Sequence, residues 1–320
     1  MRALVTGGKG FIGQAVVRAL LTDGHQVDVL SRTSDRGRLP KAAAVLVADI
    51  TDRAEVRKAI GTTPYQAVVH LAALTNARES FDQPVQYYDV NVGGTANLLD
   101  ALAASGAEPP RFVLASTNNV YGTRDGALSE DLELHPESPY AASKVAAEQL
   151  VTYQAATGAL AATILRLFNV AGAVDGITDK DTRRLIPGVL AVAAGERPTF
   201  AVNGDGGAVR EYTHVLDAAA AIVAALPGGA VGKTRHYNVG IGQGFSVLDV
   251  VRTVELVTGR AIPVEHRPAK PEPRTLVADK SRITTETPWR PSYSELPTVV
   301  TDAWTARSAS DPESASRGQS

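Results

Sequence analysis

The stretch Gly7-Gly8-Lys9-Gly10-Phe11-Ile12-Gly13 constrains this chain most. It follows a short apolar run, Arg2-Ala3-Leu4-Val5-Thr6, and opens a helical pattern that reaches Leu21. Glycines at 7, 10 and 13 stand at the spacing G-x-x-G-x-x-G between strand and helix. Glycine lets the backbone turn sharply and approach a pyrophosphate, and a helix N-terminus attracts that anion. A lone glycine motif is weak evidence; this one sits in the strand-turn-helix context that dinucleotide binding requires.

The pattern then repeats. Gln26–Leu30, Val45–Ala48, Ala67–His70, Arg111–Ala115 and Leu160–Leu167 read as apolar strands separated by helical stretches. Continuous apolar strands alternating with helices predict an α/β fold with a doubly wound parallel sheet buried on both faces. Beyond residue 168 the alternation weakens into a smaller mixed α/β region. The expected division is residues 1–168, completed by parts of 210–245, then 169–304, then a small polar tail at 305–320 that reads as disordered. Pro263 to Pro273 is rich in proline and basic residues and reads as irregular.

Composition narrows the functional classes. The 320 residues are 44% hydrophobic and 21% charged, with a formal net charge of -2. No strong field recruits nucleic acid or an anionic membrane. Cysteine is absent, which excludes disulfides, thiolate zinc sites and a cysteine nucleophile, and no metal site is predicted. No apolar run reaches the ~20 residues of a membrane span, and the chain start reads as a strand, not a signal peptide. A cytoplasmic location is the expectation.

Three further stretches carry chemistry. Strand two ends in Ser31-Arg32, where NAD-binding units of this kind place an acid on the adenosine ribose. Arg32 suits a 2′-phosphate, or is a solvated residue beside NAD, so NAD and NADP both stay open. Ser116-Thr117 lies at a strand's carboxyl end, where ligands bind in such sheets. Tyr140 and Lys144 stand four apart in Pro139-Tyr140-Ala141-Ala142-Ser143-Lys144, with Ser138 as N-cap and Pro139 at the first helical position. That spacing puts both on one helix face, and a nearby cation favours the phenolate.

Together with Asp49-Ile50, His70-Leu71-Ala72-Ala73, Tyr88 to Thr95, Leu165 to Asn169, Arg210 to Asp217 and Tyr237 to Gly240, these stretches resemble the extended short-chain dehydrogenase/reductase superfamily. Within it the chain is most similar to the nucleotide-sugar epimerases that act as UDP-hexose 4-epimerases. The resemblance implies a Rossmann-type fold and a set of roles. Gly7, Gly10, Phe11, Ile12 and Gly13 would cradle the pyrophosphate. Ser31, Arg32, Asp49 and Ile50 would lie at the adenosine, and Leu71, Ala72, Ala73, Asn91 and Phe168 along the cofactor.

Lys144 would hold the nicotinamide ribose and depress the Tyr140 pKa. Tyr140 would exchange the proton of the sugar 4-hydroxyl, with Thr117, and Ser116 nearby, hydrogen-bonding that oxygen. Asn169 and Arg210 would bind the diphosphate, and Leu185, Phe200 and Asn203 would lie at the nucleotide. Lys270 and Arg274 stand in an altered form of the family's Arg-x-Gly-Asp clamp. Arg184 stands where many relatives have a nucleobase-contacting asparagine, and Leu276 replaces a bulky tyrosine, which implies room for an N-acetyl group. Asn118-Asn119 replaces the Asp-Glu of the 4,6-dehydratases, and amides cannot do that acid-base work. The resemblance thus implies a UDP-linked substrate, a homodimer and a 4-epimerase. An NADPH-dependent 4-keto reductase and a non-catalytic dinucleotide sensor are the alternatives.

Overall fold

Strand Arg2–Thr6 (β1) shows how the sheet is built. Ala3 and Val5 enter one core cluster and Leu4 the opposite one, as the two-residue period of a strand requires. The computed structural model describes residues 1–269 and 272–310. Its central sheet holds β1, Gln26–Ser31 (β2), Ala44–Val47 (β3), Ala67–His70 (β4), Arg111–Thr117 (β5), Ala161–Leu167 (β6) and Thr234–Val239 (β7). The order is β7-β6-β5-β4-β1-β2-β3, and every neighbouring pair is parallel. The direction of winding reverses between β1 and β4, so the crevice at a switch point opens beside the glycine turn.

Helices cover both faces. Phe11–Thr22 (α1) packs with Val215–Ala224 on one side. Arg53–Ile60 (α2), Gly94–Ala104 (α3) and Pro139–Ala156 (α4) cover the other. The helix expected from Asn91 instead begins with a π-helical turn, Asp89–Gly93, before α3. Ser138 caps α4 by accepting from the Ala141 amide, with Pro139 at its first position.

A third core lies outside the sheet. It packs Leu185–Ala193, Val247–Thr258 and Leu296–Ser310 through Val189, Leu190, Val250, Val254, Val299 and Val300. Two expectations fail here. Val264–Arg267, inside the segment read as irregular, is a strand paired in parallel with Phe200–Asn203, because the main-chain ladder forms regardless of the prolines on either side. The polar stretch from 305 continues a helix to Ser310, because Ala306 is buried and Arg307 pairs with Glu196. The remainder of that tail, 311–320, lies outside the described residues.

Candidate active site

The glycine turn meets the strand β4 loop directly. Gly7 has φ +71°, and a Cβ there would lie 2.7 Å from the Ala72 amide nitrogen and 2.8 Å from the Leu71 carbonyl carbon. A Cβ at Gly13 would lie 2.1 Å from the Gly7 carbonyl oxygen, so α1 can sit this close only with glycine there. Gly10 differs. A Cβ there would meet only the Gly7 oxygen, tightly at 3.3 Å, so on its other sides the protein leaves that wall free. Gly10 is also the N-cap of α1 and makes no side-chain cap, so the first amides of Phe11, Ile12 and Gly13 face an open cradle.

On the far side of that loop a buried network fixes the geometry. Thr6 Oγ1 receives the Ala72 amide at 3.2 Å and lies 2.6 Å from His70 Nδ1. His70 Nε2 lies 3.0 Å from Thr95 Oγ1, which donates to the Asn91 carbonyl at 2.6 Å. Since Thr95 spends its proton on that carbonyl, His70 carries its own on Nε2 and accepts from Thr6. Burial drives the His70 pKa down to about 3, with Lys144 adding to the effect, so the ring is neutral.

Asn91 is expected along the cofactor. Its side chain is a buried clamp: Oδ1 receives the Leu74 amide at 2.8 Å, and Nδ2 donates to the Leu74 carbonyl at 3.0 Å and to Ser143 Oγ at 2.9 Å. Ser143 in turn donates to the Tyr140 carbonyl at 2.7 Å. The loop after β4 is thereby tied to the first turn of α4.

Tyr140, Lys144 and Thr117 are buried together. Burial pushes the Tyr140 phenol above its ordinary value, against the pull of the Thr117 hydroxyl and the Arg184 charge. The expected depression of Tyr140 by Lys144 is absent from the protein alone: desolvation outweighs the Thr117 hydrogen bond and the Arg184 charge, and Lys144 does not act on the phenol. Lys144 is itself lowered to about 8 by burial, and Glu148 works against that. Its ammonium makes no hydrogen bond or ion pair among the described residues. A buried ammonium without an acceptor beside an open phosphate cradle is the donor set a bound dinucleotide's ribose and pyrophosphate would use.

Other expected residues take different places. Ser116 and Thr117 both reach α4: the Ser116 hydroxyl donates to Glu148, and the Thr117 hydroxyl meets Tyr140. Phe168 is buried among Val120, Tyr121, Leu128 and Leu276. Ser31 is half-buried, and the Arg32 side chain is exposed, without hydrogen bond or ion pair among the described residues. Asp49 is held below the usual carboxylate range by its bonds from Thr51, with a smaller effect from Arg32. Ile50 packs on Gly94.

Asn169 Nδ2 donates to the Glu211 carbonyl at 3.1 Å. Leu185 and Phe200 pack together on the third core, and Asn203 ends a strand opposite Arg267. Arg210 donates to the Pro273 carbonyl at 2.9 Å and pairs with Glu272 at 2.8 Å. The Arg274 side chain is exposed and makes no bond among the described residues, and Lys270 lies outside them. Among the described residues no cluster of His, Cys, Asp or Glu is arranged to hold a metal.

Sequence reasoning missed His70, Glu148, Arg166 and Glu211. Glu211 accepts from the amides of Ile241 at 2.7 Å, Gly242 at 2.8 Å and Ala278 at 2.5 Å, and burial pushes it up to about 7. A carboxylate or guanidinium inside an apolar strand, as at Arg166, is the available signal that such a partner exists.

A family model described as the NAD dependent epimerase/dehydratase family matches residues 3–240. The chain belongs to that family. It is 38% identical to the UDP-glucose 4-epimerase of Corynebacterium glutamicum over 97% of this chain and 96% of that protein. Among solved structures it is similar to a UDP-glucose 4-epimerase from Stenotrophomonas maltophila with bound NAD and formylated UDP-arabinopyranose. The TM-score is 0.88 at 31% identity, over 98% of this chain and 99% of that one. It is also similar to the UDP-Glc/GlcNAc 4-epimerase of Campylobacter jejuni, with a TM-score of 0.84 at 29% identity over 96% and 99% of the two chains. Membership in this epimerase/dehydratase family leaves the reaction to the side chains, and Asn118 and Asn119 offer no titrating group for a dehydration.

Proposed function

We propose that this protein is a UDP-hexose 4-epimerase working with tightly held NAD. The observation that carries the reading is the meeting of the open Gly10 cradle with the buried Thr117, Tyr140 and Lys144 at the carboxyl edge of β1, β4 and β5. The activity named for the relatives supports it. Bound in the cradle, NAD supplies the acceptor and then the donor of one hydride.

The chain's own residues handle the proton and the positioning. Thr117 hydrogen-bonds the sugar O4, and Tyr140 takes the O4 proton and later returns it. One group serves as base and then acid when its pKa is brought near the working pH. Burial opposes that in the protein alone; Arg184 is the cation that acts on the phenol there, and Lys144 stands one turn along α4. Arg210 and Asn169 hold the diphosphate, and Leu185, Phe200 and Asn203 the nucleotide. Ionised Asp49 already answers the Arg32 charge, which favours NAD over a cofactor with another phosphate. Leu276 in place of a larger ring supports turnover of UDP-N-acetylhexosamines as well.

The active form we propose is a cytoplasmic homodimer. Phe81, Val85 and Tyr88 are exposed on segments that pack against α4, and Tyr153 is exposed on α4 itself. Among the described residues no helix is long and apolar enough to cross a membrane.

The test is NMR of a UDP-sugar panel incubated with the purified protein and no added cofactor. A C4 epimer is expected, with NAD retained through purification. Reduced product formed only with NADPH, and no epimer, would overturn the reading.

A further inference from the structure

The Tyr140 and Lys144 spacing continues one turn further to Glu148, which the reaction described above does not use. Residues 140, 144 and 148 share one face of α4. The sheet below grips both Glu148 oxygens. Arg166 on β6 donates through Nη2 to Oε2 at 2.8 Å and through Nε to both oxygens at 3.3 Å. Ser116, the neighbour of Thr117 on β5, donates its hydroxyl to Oε1.

Arg166 is fixed in turn: Nη1 donates to the Tyr121 hydroxyl at 3.0 Å and to the Glu130 carbonyl at 3.3 Å. Tyr121 donates onward to Asn238 Oδ1 at 2.7 Å. The pair is therefore an immobile dipole, with its negative end one helical turn from Lys144.

A buried ion pair adds little to stability over well-packed apolar residues of the same size. Charge this deep under a proton-handling helix therefore calls for another role. Lys144 has the unmet need, because burial disfavours its ammonium and Glu148 is the group that opposes the loss. Its other neighbours do not help. His70 on β4 is neutral, and Tyr140 on α4 is protonated in the protein alone. On the far side of Glu148, His236 on β7 is held low by burial and by Arg166, so it stays neutral at alkaline pH. An open pocket of about 230 Å³ adjoins this group, lined by Glu148, Arg166 and His236 themselves with Val145, Gln149 and Thr152.

We propose that Glu148 is a positioning residue for the epimerisation: locked by Arg166 and Ser116, its carboxylate supports the Lys144 charge one helical turn from Tyr140 and ties α4 to the strand end that carries Thr117. The proposal rests on reading Tyr140 and Lys144 as the reacting pair. The sign follows directly: without the carboxylate, Lys144 gives up its proton at lower pH.

Two measurements test it on the holoenzyme, with Glu148→Gln, Glu148→Asp and the double variant Glu148→Gln/Arg166→Met. The double variant removes both charges and leaves no orphaned guanidinium should the single one fail to fold. The first is an NMR titration of the Lys144 ammonium, assigned with Lys144→Met. The midpoint is expected to fall by about 1 pH unit in Glu148→Gln and in the double variant, and to stay near wild type in Glu148→Asp.

The second is the pH profile of kcat/KM on a UDP-hexose. Its alkaline limb is expected to move down with that midpoint, so the loss grows to about tenfold one unit above the wild-type limb. An unchanged Lys144 midpoint in a folded charge-free variant would falsify the proposal. So would equal losses in Glu148→Gln and Glu148→Asp at every pH. A wild-type protein that epimerises nothing sinks the functional reading instead, and the titration still decides the brace.

Discussion

The proton-handling side of the site and the nucleotide side are built on different terms. Asn91, His70, Glu148 and Arg166 are all at most 4% exposed, and each is held by partners from two or more elements. By contrast, Arg184 is paired with Asp179 at 3.0 Å and Arg210 with Glu272 at 2.8 Å, on side chains that keep contact with solvent. The first side is preorganised by burial. The second holds its cations against carboxylates, pairs that the proposed diphosphate would have to displace. Catalysis needs the former, since small misplacements of reacting groups are costly, while binding tolerates the latter.

The largest break in this comparison is Tyr140→Phe. Loss of the hydroxyl removes the proton carrier, and kcat is expected to drop by about 10³-fold, the middle of the range for acid-base groups, with the melting temperature nearly unchanged. A coupled assay and a thermal scan together check it.

The glycines come next, because one turn contains both kinds of demand. Gly13→Ala forces a Cβ into the Gly7 carbonyl and is expected to destabilise the fold by about 3 kcal/mol, at the upper end for overpacking. Gly10→Ala meets the protein only at 3.3 Å, so its melting temperature should fall far less than that of Gly13→Ala while dinucleotide retention falls. Denaturant melts and cofactor content after gel filtration separate the two. Equal destabilisation by both substitutions would remove the argument for an open wall.

On the nucleotide side, Arg210→Ala should raise the KM for the UDP-sugar by about tenfold, the value of one charged hydrogen bond, with a smaller change in kcat. Glu272→Gln should tighten UDP binding a few-fold by releasing Arg210, as read by calorimetry. Weaker binding in that variant would show Glu272 to be part of the binding surface.

The smallest effect concerns pH. His70 is depressed to about 3 from an ordinary 6.5, so the unfolded chain binds the proton more readily. Its contribution to stability is complete above 6.5 and is lost as pH falls toward 3. His70→Asn should flatten the fall in melting temperature over that window.

What could be seen in the sequence was local. The glycine spacing, the alternating strands, Ser138 as cap and the shared face of Tyr140 and Lys144 each depend on residues within a few turns of one another. The buried clamps depend on distance: Asn91 reaches Ser143 across 52 residues and Tyr121 reaches Asn238 across 117. No spacing rule foretells such partners. Strand Val264–Arg267 was hidden for the same reason, since its only warrant is the ladder to Phe200–Asn203. Ser116 and Thr117 look interchangeable in the chain, yet one meets Glu148 and the other Tyr140, two turns apart on α4.

Strand β7 has a practical consequence for anyone cutting the molecule. It enters the sheet from residues 234–239, long after the other strands, and covers β6, whose seven residues are all buried. A fragment ending at residue 168 would present β6 as a bare, apolar edge, a template for pairing with other chains. Fusion partners, split reporters and truncations should therefore be placed outside 2–239, or carry that late strand with them.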